Sequence, residues 1–94
     1  MITVRLDARV RRDFPDSSES QAVRAILDEL IADLGPDGES ERIPAAVLVL
    51  ADGDSNRFLE AVALARLDWR DVLVASGLAD ADWADRLDAE LEPR

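Results

Sequence analysis

Asp52-Gly53-Asp54-Ser55-Asn56 sets side-chain oxygens at alternate positions, which is how a calcium-binding loop begins. Such a loop also needs a glycine at its sixth position for a sharp turn and a bidentate glutamate at its twelfth. Arg57 and Ala63 stand there instead. A junction between two helices accounts for the same residues without an ion. Gly53 supplies a left-handed residue after one helix, and Asp54 or Ser55 caps the next.

The second constellation is a repeated phrase, D-W-x-D-x-L-x-A, beginning at Asp68 and again at Asp82. Asp68 with Asp71, or Asp82 with Asp85, could form a carboxylate pair for proton transfer or for a magnesium ion. Each pair also falls where the positive end of a helix dipole favours negative charge. On that reading Asp68 is an N-cap with Asp71 at the third helical position, and Asp80 or Asp82 caps the second helix. Asp54, Asp68, Asp71 and Asp82 are then structural caps. Trp69 and Trp83 are the only two tryptophans. Each can anchor its helix in the core or serve as a recognition hot spot, and Trp69 with its neighbour Arg70 is the better interaction candidate.

Other chemistries are limited by what is missing. The chain has no cysteine, histidine, tyrosine or lysine. That removes thiolate and zinc–thiolate sites, the commonest general base, Schiff-base chemistry and phenolic acids. No glycine-rich phosphate loop or G-x-S-x-G elbow is present. These absences point to a non-catalytic protein with no cofactor and no metal.

At 94 residues the chain has room for one domain. Its 48% hydrophobic content is too high for a disordered chain. The longest apolar run, Ala45–Ala51, is far shorter than the ~20 residues of a membrane span. No apolar stretch follows the N-terminal arginines as in a secretory signal, so a soluble cytoplasmic protein without a membrane partner is expected. The formal net charge of −10 is unevenly placed. Residues 1–12 hold Arg5, Arg9, Arg11 and Arg12 against Asp7, leaving seven of the eleven arginines and twenty of the twenty-one acids to the rest. So acidic a body repels nucleic acid, and a protein partner or a second copy (a homodimer) is expected instead.

The elements that would carry these residues read mainly as helices. Over residues 1–14 two periods compete. Ile2, Val4, Leu6, Ala8 and Val10 alternate as a strand would over 2–10, whereas Leu6, Val10 and Phe14 recur every fourth residue as in a helix. No good second strand follows, which favours helix, and the first fifteen residues could serve as a docking arm. Val23, Ile26, Leu27, Leu30, Ile31 and Leu34 form an amphipathic face. Ser18 with Gln21 suits its start and Gly35-Pro36 its end. Ser40 could cap a helix running to Ala51, with Pro44 near its first turn. That segment is apolar all round and should be the most buried, as helix or as strand. A helix over 55–67 should turn Phe58, Leu59, Val62, Ala63 and Leu67 inward, and Gly77-Leu78 should end the next one. Trp83, Leu87 and Leu91 align in the last, which Pro93 closes. The expectation is an all-α, compact single domain of five to six short helices over 1–94.

At Ala46–Leu48, Gly53-Asp54, Ala61-Val62, Ala65 and Asp68–Leu73 the chain resembles a group of short uncharacterised bacterial proteins. They share an AVL-x-LA-x-GD phrase, an AV-x-x-A helix and a DWRDVL segment. The resemblance covers about half the chain, implies a helical fold and brings no activity with it.

Three functions compete on these grounds. A protein-interaction module, self-associating or not, leads. An acidic inhibitor or immunity-type protein that blocks a basic partner is the second. A carboxylate enzyme is the third, and it would need a concave pocket lined by neighbouring acids. If the caps are as read, Asp68→Ala and Asp82→Ala should each lower stability by ~0.5–2 kcal/mol, measurable as a shift in the urea midpoint.

Overall fold

The computed structural model describes residues 2–34 and 41–91. Six helices occupy them: α1 (Val4–Asp13), α2 (Ser17–Leu34), α3 (Arg42–Ala51), α4 (Ser55–Leu67), α5 (Trp69–Ser76) and α6 (Trp83–Leu91). No strand occurs among the described residues, and none of their helices is long and apolar enough to cross a membrane. The stop at Gly35-Pro36, the Ser40 cap and Pro93 lie outside the described residues.

Helical periodicity prevails at the N-terminus because it has a core to face. Leu6, Val10 and Phe14 are wholly buried, so this segment docks on its own chain. Thr3 starts α1 by accepting the Leu6 N–H, and Pro15 disfavours helical geometry at Phe14, where the helix ends. The start of α2 differs from the expected Ser18 box. Asp16, just outside the helix, accepts the Glu19 N–H at 3.0 Å, and Ser18 lies one residue inside. A carboxylate is the stronger acceptor, and at this position it also meets the positive end of the dipole.

α3 is the centre of the molecule. Ile43, Pro44, Ala45, Ala46, Val47, Leu48 and Ala51 are buried. Each of the other five helices packs on α3. Pro44 sits in the first turn, where its missing N–H removes no intrahelical bond. Phe14 and Phe58 meet edge to face within the core, with centroids 5.9 Å apart. The turn from α3 to α4 uses two left-handed residues, Asp52 (φ 48°) and Gly53 (φ 77°). α5 ends at Gly77 (φ 83°), and the Leu78 N–H donates back to the Leu73 carbonyl at 2.9 Å.

The arginine-rich N-terminal segment is neutralised by the chain's own acids. Arg5 holds Glu41 through Nε (2.7 Å) and Nη2 (2.8 Å), and reaches Asp88 at 2.8 Å. Arg9, only 8% exposed, donates to Asp13 at 2.7 Å and to the Glu90 carboxylate at 3.0 Å. Burial alone would lower the Arg9 pKa, but its hydrogen bonds to Asp13 and Glu90 outweigh that and raise it. Arg11 pairs with Asp7 and Arg12 with Asp13. The charge asymmetry along the sequence is thus spent largely on internal docking.

Glu41 joins the starts of α1 and α3. Its carboxylate takes hydrogen bonds from Arg5 and from the Thr3 hydroxyl (2.7 Å). The Arg5 bond, helped by Thr3, holds its pKa below the usual carboxylate range against the opposing effect of burial. A depressed folded-state pKa contributes stability that is complete above the unfolded value and is lost as pH falls through the folded one. In wild type, the urea midpoint should fall as pH drops below about 5, near the ordinary glutamate pKa. Glu41→Gln should be less stable than wild type at pH 7 and show a shallower decline between pH 5 and pH 3. Parallel midpoint–pH curves for the two proteins would remove Glu41 from this role.

Candidate functional site

The candidate residues gather where α4 meets α5, and Asp68 makes that joint. Its backbone N–H donates to the Leu64 carbonyl at 2.8 Å and so closes α4. Its carboxylate accepts the Arg70 N–H at 3.1 Å and so opens α5. One residue therefore serves two helices. The double duty also explains why the expected reciprocal box does not close. The Asp68 N–H, which an Asp71 carboxylate would have to accept, is already committed to α4. Asp71 is instead an exposed acid in the first turn, where it complements the dipole. Asp54 caps α4 by accepting the Arg57 N–H at 3.0 Å.

Trp69 is half-buried and packs against the core. Arg70 lies over it, its guanidinium carbon 5.7 Å from the ring centroid, while its Nε contacts Asp68 at 3.4 Å. Arg70 itself is largely exposed, so this corner presents an arginine on an aromatic face.

The other phrase is used differently. Asp82 directs its carboxylate to Arg86 Nε at 3.0 Å. Among the described residues no α6 backbone N–H donates to that carboxylate, so Asp82 acts as an i, i+4 ion-pair partner where a cap was expected. Trp83 is also covered by an arginine, but by Arg42 of α3, 4.2 Å from its centroid. Arg42 further donates through Nε and Nη2 to the Leu78 carbonyl. Spacing gave no sign of this contact, because its partners are far apart in the chain.

The principal correction concerns α4. Leu59, Ala63 and Leu67, expected inside, are exposed, with Leu59 at 53% and Leu67 at 84%. Phe58 and Val62 are buried as expected, and Ala61 and Ala65 complete the buried face in place of Leu59, Ala63 and Leu67. A helix has only one such face, and four small or flat positions suffice where α4 lies close against α3. Leu59, Ala63 and Leu67 recur every fourth residue and form an apolar stripe along the outer side. Val74, 69% exposed, stands one turn from Arg70 on α5. Beside the stripe, a shallow groove of about 360 Å³ runs between Leu50, Leu64 and Ala75, with Arg57 and Glu60 at its edge.

The alternatives in carboxylate chemistry find little geometry. Among the described residues no three acids come together as a group that could hold a metal ion. Asp52 is the left-handed cap of α3 and Asp54 the N-cap of α4, as a helix junction requires. The α1–α2 groove, about 480 Å³, includes Asp7 and Asp28. Asp7 there is bound to Arg24 (2.9 Å) and Arg11 (3.1 Å).

No family model matches the chain, and no curated protein or solved structure matches it.

The different uses of the aspartates separate their expected contributions. Asp54→Ala and Asp68→Ala should each cost ~0.5–2 kcal/mol by leaving a helix-start N–H without its acceptor. Asp82→Ala should cost only ~0.2–0.5 kcal/mol, the value of an exposed i, i+4 pair. Urea titrations of the three variants test the order, and an Asp82 effect as large as that of Asp68 would contradict it.

Proposed function

We propose that this chain is a non-catalytic protein-interaction module whose contact face is the outer side of α4 with the α4–α5 corner. The observation that carries the reading is the exposed apolar stripe Leu59–Ala63–Leu67 on α4, followed in the chain by Trp69 under Arg70 and by exposed Val74 one turn after Arg70. Leucines this exposed at regular helical spacing gain little for the isolated fold, whereas a partner surface would bury them. Trp and Arg are the residue types most enriched at binding hot spots, and here they stand together. Exposed charges of both signs, Glu60 and Asp71 with Arg66 and Arg70, lie near the apolar positions in the chain, so the fitting partner is a protein with an apolar face and a mixed polar rim. With a net charge of −10 the module is matched to protein rather than to nucleic acid, and we place it in the cytoplasm.

An acidic inhibitor of a basic partner is the second reading. It is favoured by the engagement of Arg5, Arg9, Arg11, Arg12, Arg24, Arg66, Arg70 and Arg86 with the chain's own acids. The charge left for a partner is then largely negative.

One experiment distinguishes them. Wild type and Leu59→Ser/Leu67→Ser, both checked for helix content, are used to capture partners from the native cell at about 50 mM and 500 mM salt. The interaction-module reading expects a partner held by wild type at both salts and lost by the double variant. A partner retained by the variant and released from both proteins by salt would favour the inhibitor.

A further inference from the structure

α6 is attached to the molecule in an unusual way. It packs on α1 and α3 and, among the described residues, on no other helix. α5 precedes it in the chain but is not its neighbour in packing. The connection is anchored as far as Leu78, which is buried and whose carbonyl accepts Arg42 at 2.8 and 3.0 Å. Ala79, Asp80, Ala81 and Asp82 follow, all exposed. Fully extended, four such residues span about 13–14 Å. They form the connection to α6, folded in place by the Trp83 N–H, which donates to the Asp80 carbonyl at 3.0 Å, and by Arg86, which pairs with Asp80 and donates to the Gly77 carbonyl at 3.4 Å. Releasing these few exposed bonds would turn the segment into a tether on which α6 moves as a unit.

The seat that α6 occupies is chemically specific. Leu87 and Leu91 enter the core, and Arg42 covers Trp83. From α1, Arg5 donates to Asp88 at 2.8 Å, while Arg9 donates to the Glu90 carbonyl at 2.7 Å and to its carboxylate. A groove with an apolar floor and three arginines therefore holds an acidic amphipathic helix. A nine-residue helix is marginal when detached, so α6 gains its order from the seat. Only two of its residues are buried, which keeps the cost of leaving local.

We propose that α6 is an exchangeable element: the seat on α1 and α3 accepts α6 of a second copy, and two chains join reciprocally by trading this helix. The occupant is fixed by charge and shape together, since a second copy supplies the same leucines, tryptophan and acids to the same arginines. The resulting dimer is isologous, each chain giving one helix and receiving one. In the closed monomer the tether keeps the local concentration of α6 high, so exchange is favoured by high protein concentration or by weakening closure. The exchange uses no residue of the α4–α5 face and is tested apart from the preceding reading.

The test uses two full chains with reversed charges, Arg5→Glu and Asp88→Arg. Each alone places like charges at its own seat. Mixed, both exchanged seats bring opposite charges together: the altered α6 meets Glu at position 5, and the unaltered α6 meets Arg5. Native mass spectrometry and light scattering should show about tenfold more dimer in the equimolar mixture than in either chain alone, the gain from two restored pairs. A mixture that stays monomeric, with both chains retaining their helical circular dichroism, would overturn the proposal. Should either variant lose its helices, deletion of Ala79 and Asp80 decides instead, because a shortened tether hinders closure on the same chain. A dimer then upholds exchange, and a folded monomer refutes it.

Discussion

A helix that is apolar on every side cannot leave any side in water, and that constraint organises this molecule. α3 buries Ile43 and Val47 on one side and Leu48, Ala45 and Ala46 around the rest of its circumference, too wide an arc for one neighbour to cover. All five other helices contact it. The short junctions follow from the same need, because α4 and α5 must turn back at once to stay on α3. Near the centre the packing is filled by Ala45, Ala46, Ala51, Ala61 and Ala65, whose small side chains let backbones approach closely. Bulk arrives from the outside through Leu6, Phe14, Leu27 and Phe58.

Electrostatics adds a second level of organisation. A chain with this excess of acid would repel itself on compaction if its arginines were spread at random. Instead α1 concentrates them, and it lies against α3 and α6, where the acids Glu41, Asp88 and Glu90 meet it. Elements from opposite ends of the sequence are joined this way, with apolar contact supplying most of the energy and the guanidinium bonds the geometry. Exposed pairs of this kind contribute little individually. Arg9 differs because it is buried, and removing either side of such a pair leaves an uncompensated charge.

Features governed by local rules were readable in the sequence. Helices α2, α4, α5 and α6, the Asp54 and Asp68 positions, the Gly77 stop and the central place of 42–51 follow from period, capping chemistry and turn residues. By contrast, 1–14 carries two periods and 45–51 is apolar all round, so both needed the surrounding core to decide between helix and strand. Features that depend on what lies opposite were not. Nothing local distinguishes Leu59 from Phe58, since either could lead the buried face until the approach of α3 selects one. The Asp71 box looked sound because sequence does not reveal that the Asp68 N–H is already taken. Arg42 over Trp83 and Arg9 on Glu90 are long-range contacts, for which spacing carries no signal. The α4–α5 surface is half legible: Trp69-Arg70 stands out by residue type, whereas the stripe on α4 does not, because leucines at helical spacing suit the interior as well as an exposed face.

The single residue between α4 and α5 has a consequence for how this chain can change over time. With Asp68 ending one helix and starting the next, there is no slack between them. An inserted residue would turn α5 by about 100° about its axis, carrying Val72 and Leu73 away from the core and bringing charged positions towards it. An insertion at this corner should therefore cost far more stability than one in the exposed segment before α6. Among descendants of this sequence, the spacing from Phe58 to Leu73 should drift far less than the identity of the residues exposed along it.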